Sequence, residues 1–144
     1  MTKRLTYAQT KKQLRRIVNL KGHEYVYERP IYEDEYGVHR EAMECHYTDS
    51  NGKPSCLVGA LLAEVAPGKL KSLYSYEWQD RYEPHVVGST ELVGVNPTGV
   101  DLSELFEEDA LKLVHQVQRR QDDGYSWGES LDSATNRKIG RAHV

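Results

Sequence analysis

Between residues 102 and 134 the apolar positions recur with the period of a helix. Leu111, Val114 and Val117 fall at helical spacing, and Phe106, Ala110 and Leu113 widen the stripe. Asp101 and Ser103 offer oxygen caps, and Glu107, Glu108 and Asp109 put negative charge on the first turn, where the helix dipole favours it. Arg119 and Arg120 sit on the last turn, and Gly124 supplies a left-handed stop. Ser126-Trp127-Gly128-Glu129 then has the form of a second capping box, opening a helix with Trp127, Leu131 and Ala134 on one face. The pattern predicts a helical hairpin over 103–135.

The remaining pattern is shorter-ranged. Thr6-Tyr7-Ala8-Gln9 has the capping-box form, and Leu14, Ile17 and Val18 follow it, predicting a basic helix over 6–19 that ends near Gly22. Residues 24–28 alternate and are rich in Tyr and Val, which predicts a strand; 31–33 and 38–47 add two more around a turn at Asp34-Glu35-Tyr36-Gly37. Pro54-Ser55 opens the most apolar segment, Cys56 to Val65, and Pro67-Gly68 closes it. A helix over 53–66, capped by Ser55, is therefore expected at the centre. Gly59 in its middle costs ~1 kcal/mol against alanine, acceptable where another backbone packs close. Residues 69–76 add a short turn of helix, and 84–100 read as a long loop with at most a short strand at 91–95. The expectation is one α+β domain over 1–144: three to four helices packed on a small antiparallel sheet, a closing C-terminal helical hairpin, and a flexible tail from about 137.

Composition narrows the classes. A hydrophobic content of 38% and a mean hydropathy of -0.72 describe a polar chain large enough for one core. No apolar run approaches the ~20 residues that cross a bilayer, so no membrane partner is expected. The basic N-terminus lacks the apolar core and cleavage site of a secretory signal; with two cysteines, this places the protein in the cytoplasm with reduced thiols. Ten tyrosines against one phenylalanine mark either a wet core rim or adhesive faces. Tyr74, Tyr76, Trp78 and Tyr82, in a polar stretch without clear period, form the candidate protein-interaction surface. The net charge of -3 is unevenly spread, for residues 1–22 contain no acid. Lys11, Lys12, Arg15 and Arg16 are the candidate nucleic-acid contact; the alternative is a solvated helix face that complements acids elsewhere.

Chemistry is sparsely signalled. Phosphate-loop, dinucleotide, nucleophile-elbow and zinc-protease motifs are absent from the sequence. Cys45, His46 and Cys56 fall short of the four ligands of structural zinc, and neighbours on a strand point to opposite faces. Cys56, near a predicted helix start, would need exposure to act as a nucleophile; a buried structural thiol is the simpler reading. A helix-turn-helix over 117–134 is disfavoured, because Glu129, Asp132 and Asp122-Asp123 stand where a reader needs donors; Arg137, Lys138 and Arg141 come only beyond. No catalytic residue, cofactor or metal is assigned.

Two motifs are more specific: Pro54-Ser55-Cys56-Leu57-Val58-Gly59-Ala60-Leu61-Leu62, and Gln118 to Leu131 with Gln121-Asp122-Asp123-Gly124-Tyr125-Ser126-Trp127-Gly128 at its centre. With Tyr25-Val26-Tyr27 and Cys45 upstream, the chain resembles a group of small proteins encoded by actinobacteria and their phages. That resemblance covers most of the chain, apart from 69–99. It implies a cytosolic protein of a phage or its host, with the Cys, Gly and Trp positions as marks of a shared architecture. The functional expectation is a non-enzymatic, phage-type accessory protein that binds a host or phage protein. The alternatives are nucleic-acid binding through the first helix, and a small ligand-binding or cysteine-dependent enzyme.

Overall fold

The computed structural model describes residues 3–42 and 44–142, with side chains described as far as Thr135. The order is α1 (Tyr7–Lys21), β1 (Ile31–Glu33), β2 (His39–Glu41), α2 (Leu57–Val65), α3 (Pro67–Glu77), α4 (Glu108–Asp122) and α5 (Trp127–Ala142). Single 3-10 turns lie at Ser89–Glu91 and Leu102–Glu104. The class is α+β. The described residues hold five α-helices where the pattern predicted three or four, because 67–77 is a full helix rather than a short turn. The predicted tail from about 137 falls on side chains outside the described ones, as do those of Arg137, Lys138 and Arg141. The chain forms two compact units, one from Met1–Tyr27 with Ser103–Val144, the other from Glu28–Leu102.

In the first unit α1 packs on α4 and α5. The capping box at its start is complete: Gln9 N–H donates to Thr6 Oγ1 at 3.2 Å, and Thr6 N–H to Gln9 Oε1 at 3.0 Å. Such a cap contributes ~1 kcal/mol. Leu14, Ile17 and Val18 are buried, as are Ala110, Leu113, Val114 and Val117 of α4 and Trp127 and Leu131 of α5. Two expectations are corrected here. The helix expected from about 103 begins at Glu108, because the backbone before it pairs with the N-terminus: Leu5 N–H donates to Leu105 O at 2.8 Å and Glu107 N–H to Leu5 O at 2.9 Å. Residues 24–28 form no strand. Tyr25 O instead accepts Trp127 N–H at 2.8 Å and His23 O accepts Gly128 N–H at 2.9 Å, so this extended segment satisfies the open end of α5. Gly124, at φ +99°, makes the predicted left-handed stop of α4, and Ser126 Oγ accepts Glu129 N–H at 3.1 Å.

In the second unit α2 packs on α3, and Leu57, Val58, Leu61, Leu62, Leu70 and Leu73 are buried. The cap is Cys56, not Ser55: its sulfur accepts Gly59 N–H at 3.5 Å. Ser55 N–H is drawn away to Tyr47 O at 2.9 Å. A Cβ on Gly59 would overlap that same Tyr47 carbonyl, which is the close backbone approach the mid-helix glycine implied. The strand expected over 38–47 shrinks to His39–Glu41, and 91–95 holds no strand.

Candidate functional site

The second unit carries the predicted aromatic stretch, and its members do not share one open face. Pro67 at the first turn starts α3, which ends with Trp78 as its C-terminal cap. Tyr74, half-buried, donates its hydroxyl to Ser50 O at 3.1 Å. Tyr76, also half-buried, meets the ring of His85 edge-on at 5.4 Å. Trp78 turns inward: it is buried, donates Nε1–H to Thr48 O at 3.1 Å, and touches the rings of His46 and Tyr32 at 5.4 and 6.0 Å. Tyr82 alone of the four is exposed, with the Arg81 guanidinium 5.0 Å from its ring centroid and bonded to its hydroxyl at 2.8 Å.

Beneath these rings lies a group that the sequence reading missed. Glu77 is fully buried, and its carboxylate accepts Tyr47 N–H at 2.8 Å, Thr48 N–H at 3.0 Å and the Thr48 hydroxyl at 2.8 Å. Burial pushes its pKa up to about 7, against the three donors that favour the charged form. The signal was present in the spacing, since Leu70, Leu73 and Glu77 lie at i, i+3 and i+7 on the buried side of α3. His46 beside it is buried, with Nδ1 2.9 Å from Glu44 O, and burial holds it below its ordinary pKa. This set is a structural polar core: Glu77 ties α3 to the 47–48 segment. Among the described residues no group of three or more His, Cys, Asp or Glu side chains is arranged to hold a metal. Neither cysteine is in a disulfide; Cys45 is half-buried and Cys56 fully buried. The exposure that a Cys56 nucleophile requires is therefore missing.

In the first unit the basic helix divides. Lys11, Lys12 and Arg16 are exposed; Arg15 is half-buried and pairs with Asp132 of α5 at 2.8 Å. The other Asp132 oxygen meets His23 Nε2 at 2.8 Å, and Glu24 meets His23 Nδ1 at 3.0 Å. Bonds to Asp132 first, then to Glu24, raise the His23 pKa above its ordinary 6.5. Trp127 fixes the segment between them: its indole packs edge-on against Tyr25 at 4.8 Å and donates to Gln121 Oε1 at 3.1 Å.

After Val95 in the 92–100 loop, the most accessible apolar side chains of the second unit sit on the β1–β2 hairpin. Asp34 organises its turn: Oδ1 accepts Tyr36 N–H and Val38 N–H, each at 2.9 Å, and Oδ2 pairs with Arg40 Nε. Gly37, at φ +76°, takes the left-handed position that closes the turn, with its N–H on Asp34 O at 3.0 Å. These bonds hold the Asp34 pKa below its ordinary value, the Arg40 contact being the largest cause. The turn lifts Tyr36 into solvent at 81% exposure, with Ile31 at 65% and Val38 at 49%. The sequence showed the turn but not that its flanks face outward, because three-residue strands are too short for alternation to report a face. Comparison with family models, curated proteins and solved structures finds no match.

Proposed function

We propose that this chain is a phage-type accessory protein that acts in the bacterial cytoplasm by binding a host or phage protein, without chemistry of its own. The observation that carries the binding reading is the hairpin, a pinned turn that holds Ile31, Tyr36 and Val38 in water. A monomer gains nothing from exposing a tyrosine on a turn with five defined bonds at its base, whereas an interface gains a rigid aromatic anchor. The phage-type part rests on the two sequence motifs. Tyr82, the exposed member of the aromatic stretch, is a second proposed anchor; Trp78 supports the hairpin from within, through Tyr32. In this reading α4 and α5 act as a closing hairpin whose work is architectural, holding the 23–25 segment through Trp127 and Gly128.

The test is capture of a partner by tagged protein from actinobacterial lysate, with and without nuclease, at two salt concentrations. A stoichiometric protein partner that survives nuclease and is lost with Tyr36→Ala supports the reading. Capture unchanged by both Tyr36→Ala and Tyr82→Ala would move the surface elsewhere. A second reading, nucleic-acid binding, has one observation of its own, the exposure of Lys11, Lys12 and Arg16 on α1. It predicts recovery of nucleic acid at low salt, lost in the Lys11→Ala/Lys12→Ala variant.

A further inference from the structure

The chain that leaves α1 is tied at once to the start of α5, and a histidine stands at the centre of the tie. Gly22, at φ +105°, stops α1, and Tyr25 N–H closes a turn on Gly22 O at 3.1 Å, with His23 and Glu24 at its corner. The carbonyls of this turn then accept the first two amides of α5: Trp127 N–H donates to Tyr25 O at 2.8 Å and Gly128 N–H to His23 O at 2.9 Å. A helix leaves its first N–H groups without partners of its own, so the 23–25 turn caps α5 from 102 residues or more away in sequence. The His23 ring packs directly on Gly128, where any Cβ would overlap the imidazole.

Both nitrogens of that ring face carboxylates. Nε2 is 2.8 Å from Asp132 Oδ2 on α5, and Nδ1 is 3.0 Å from Glu24 Oε1 in the turn itself. A neutral imidazole carries one N–H and donates to one of the two; the cation donates to both. The neutral ring therefore sets a bare lone pair against one carboxylate oxygen. Two cations complete the cluster. Arg15 of α1 holds the other oxygen of Asp132 at 2.8 Å, and the Lys21 ammonium lies 4.4 Å from the centroid of the Tyr25 ring. An isolated exposed ion pair contributes little, but this one is part of a network that joins α1, the turn and α5 around a ring seated on backbone.

We propose that His23 is a pH-operated clasp: as the imidazolium it fastens the 23–25 turn across the open end of α5, and as pH rises through neutrality it loses one of its two carboxylate bonds and the cap loosens. The sign follows from the bonds to Asp132 and then Glu24, which favour the charged ring in the folded chain, so the clasp is closed below pH 6.5 and weakens above it. The clasp lies where the chain leaves the first compact unit, whose N-terminal part ends at Tyr27. It makes the fastening of that exit sensitive to a single proton.

The test is hydrogen exchange of the full chain followed by NMR from pH 6 to 8.5, read as protection factors so that base catalysis common to all amides divides out. Protection of the Trp127 and Gly128 amides should fall about threefold across this range, the effect of one exposed charged bond. His23→Gln, which cannot titrate, should make both amides insensitive to pH. Glu24→Gln removes one carboxylate from a side chain that is 85% exposed, so it leaves the fold intact and should move the midpoint of the fall to lower pH. Constant protection in the natural chain overturns the proposal, as does a fall that persists in His23→Gln or an unchanged midpoint in Glu24→Gln. An equal fall at the buried Val114 in the middle of α4 also overturns it, by showing that the whole unit opens and not the clasp.

Discussion

One buried carboxylate, Glu77, makes the stability of the second unit depend on pH. Glu77 holds a pKa of about 7 in the folded chain against 4.5 in the unfolded one. Between those values the folded chain keeps a proton that the unfolded chain has lost, so acidification favours folding. The contribution is complete below about pH 4.5, is lost as pH rises through about 7, and amounts to roughly 3 kcal/mol. His46 works in the opposite sense: burial lowers its pKa, so its neutral folded form is penalised as pH falls. Glu77→Gln removes the first slope and leaves the second. Urea unfolding of both forms at pH 5 and pH 8 should show the Gln variant losing less stability, or gaining, as pH rises; an equal gap at both pH values would refute the assignment. Glu77→Ala strands two backbone N–H groups and the Thr48 hydroxyl, and should cost about 3 kcal/mol. The residue was legible only as the third member of the 70, 73, 77 series. A glutamate at a buried position breaks the apolar rule, and only its partners, 29 and 30 residues away in sequence, make that burial tolerable.

At the scale of elements, local signals held wherever the partner was local. The Thr6 capping box, the Gly37 turn and the Gly124 stop are each complete within a few residues, and each stood in the sequence. They misled where a distant backbone competed. Residues 24–28 have the composition of a strand, yet Tyr25 spends its carbonyl on Trp127 and its ring on the same indole, because strand propensity is largely a preference for packed, half-buried surroundings. The start of α4 moved for the same reason, once Leu5 had bonded on either side of Phe106. Gly59 shows the opposite case, a local oddity that announces a distant contact. Gly59→Ala drives a methyl into the Tyr47 carbonyl and should cost about 3 kcal/mol. Gly68→Ala in α3 meets nothing within 4 Å and should instead gain about 0.5 kcal/mol. Chemical denaturation of the pair decides it, for similar effects of the two would mean that α2 does not pack on Tyr47. Between α1 and α5, the His23 imidazole faces two carboxylates, so NMR titration should place its pKa above 6.5 and Asp132→Asn should bring it down. Its contribution to stability is present below pH 6.5 and fades as pH rises through the higher folded value.

Across the whole molecule, the two binding readings differ in the sign of the charge at the surface each uses and in the unit that carries it. The exposed cations of α1 belong to the first unit, and the acidic hairpin to the second, in a chain of net charge -3. Folding has already drawn on the first set, since Arg15 is paired with Asp132. That loss was invisible in the sequence, where Arg15 stands 117 residues away from Asp132. Lys11 and Lys12 would then make about two phosphate contacts, and raising salt from about 50 to 200 mM would weaken such binding about twelvefold. A protein partner seated on Ile31, Tyr36 and Val38 would lose far less over the same interval, because apolar burial carries no counterion release. Two charge-reversal variants therefore separate the readings within one experiment. Lys11→Glu/Lys12→Glu should leave protein capture unchanged and abolish any recovery of nucleic acid. Glu33→Lys/Glu41→Lys should do the reverse, weakening capture by reversing the charge beside Ile31 and, by adding four units of positive charge, making the chain more prone to bind nucleic acid at low salt. Both are built on exposed positions, so unfolding is not expected to confuse the outcome. Loss of capture in the lysine variant with retention in the glutamate variant would place the working surface on α1 and retire the hairpin.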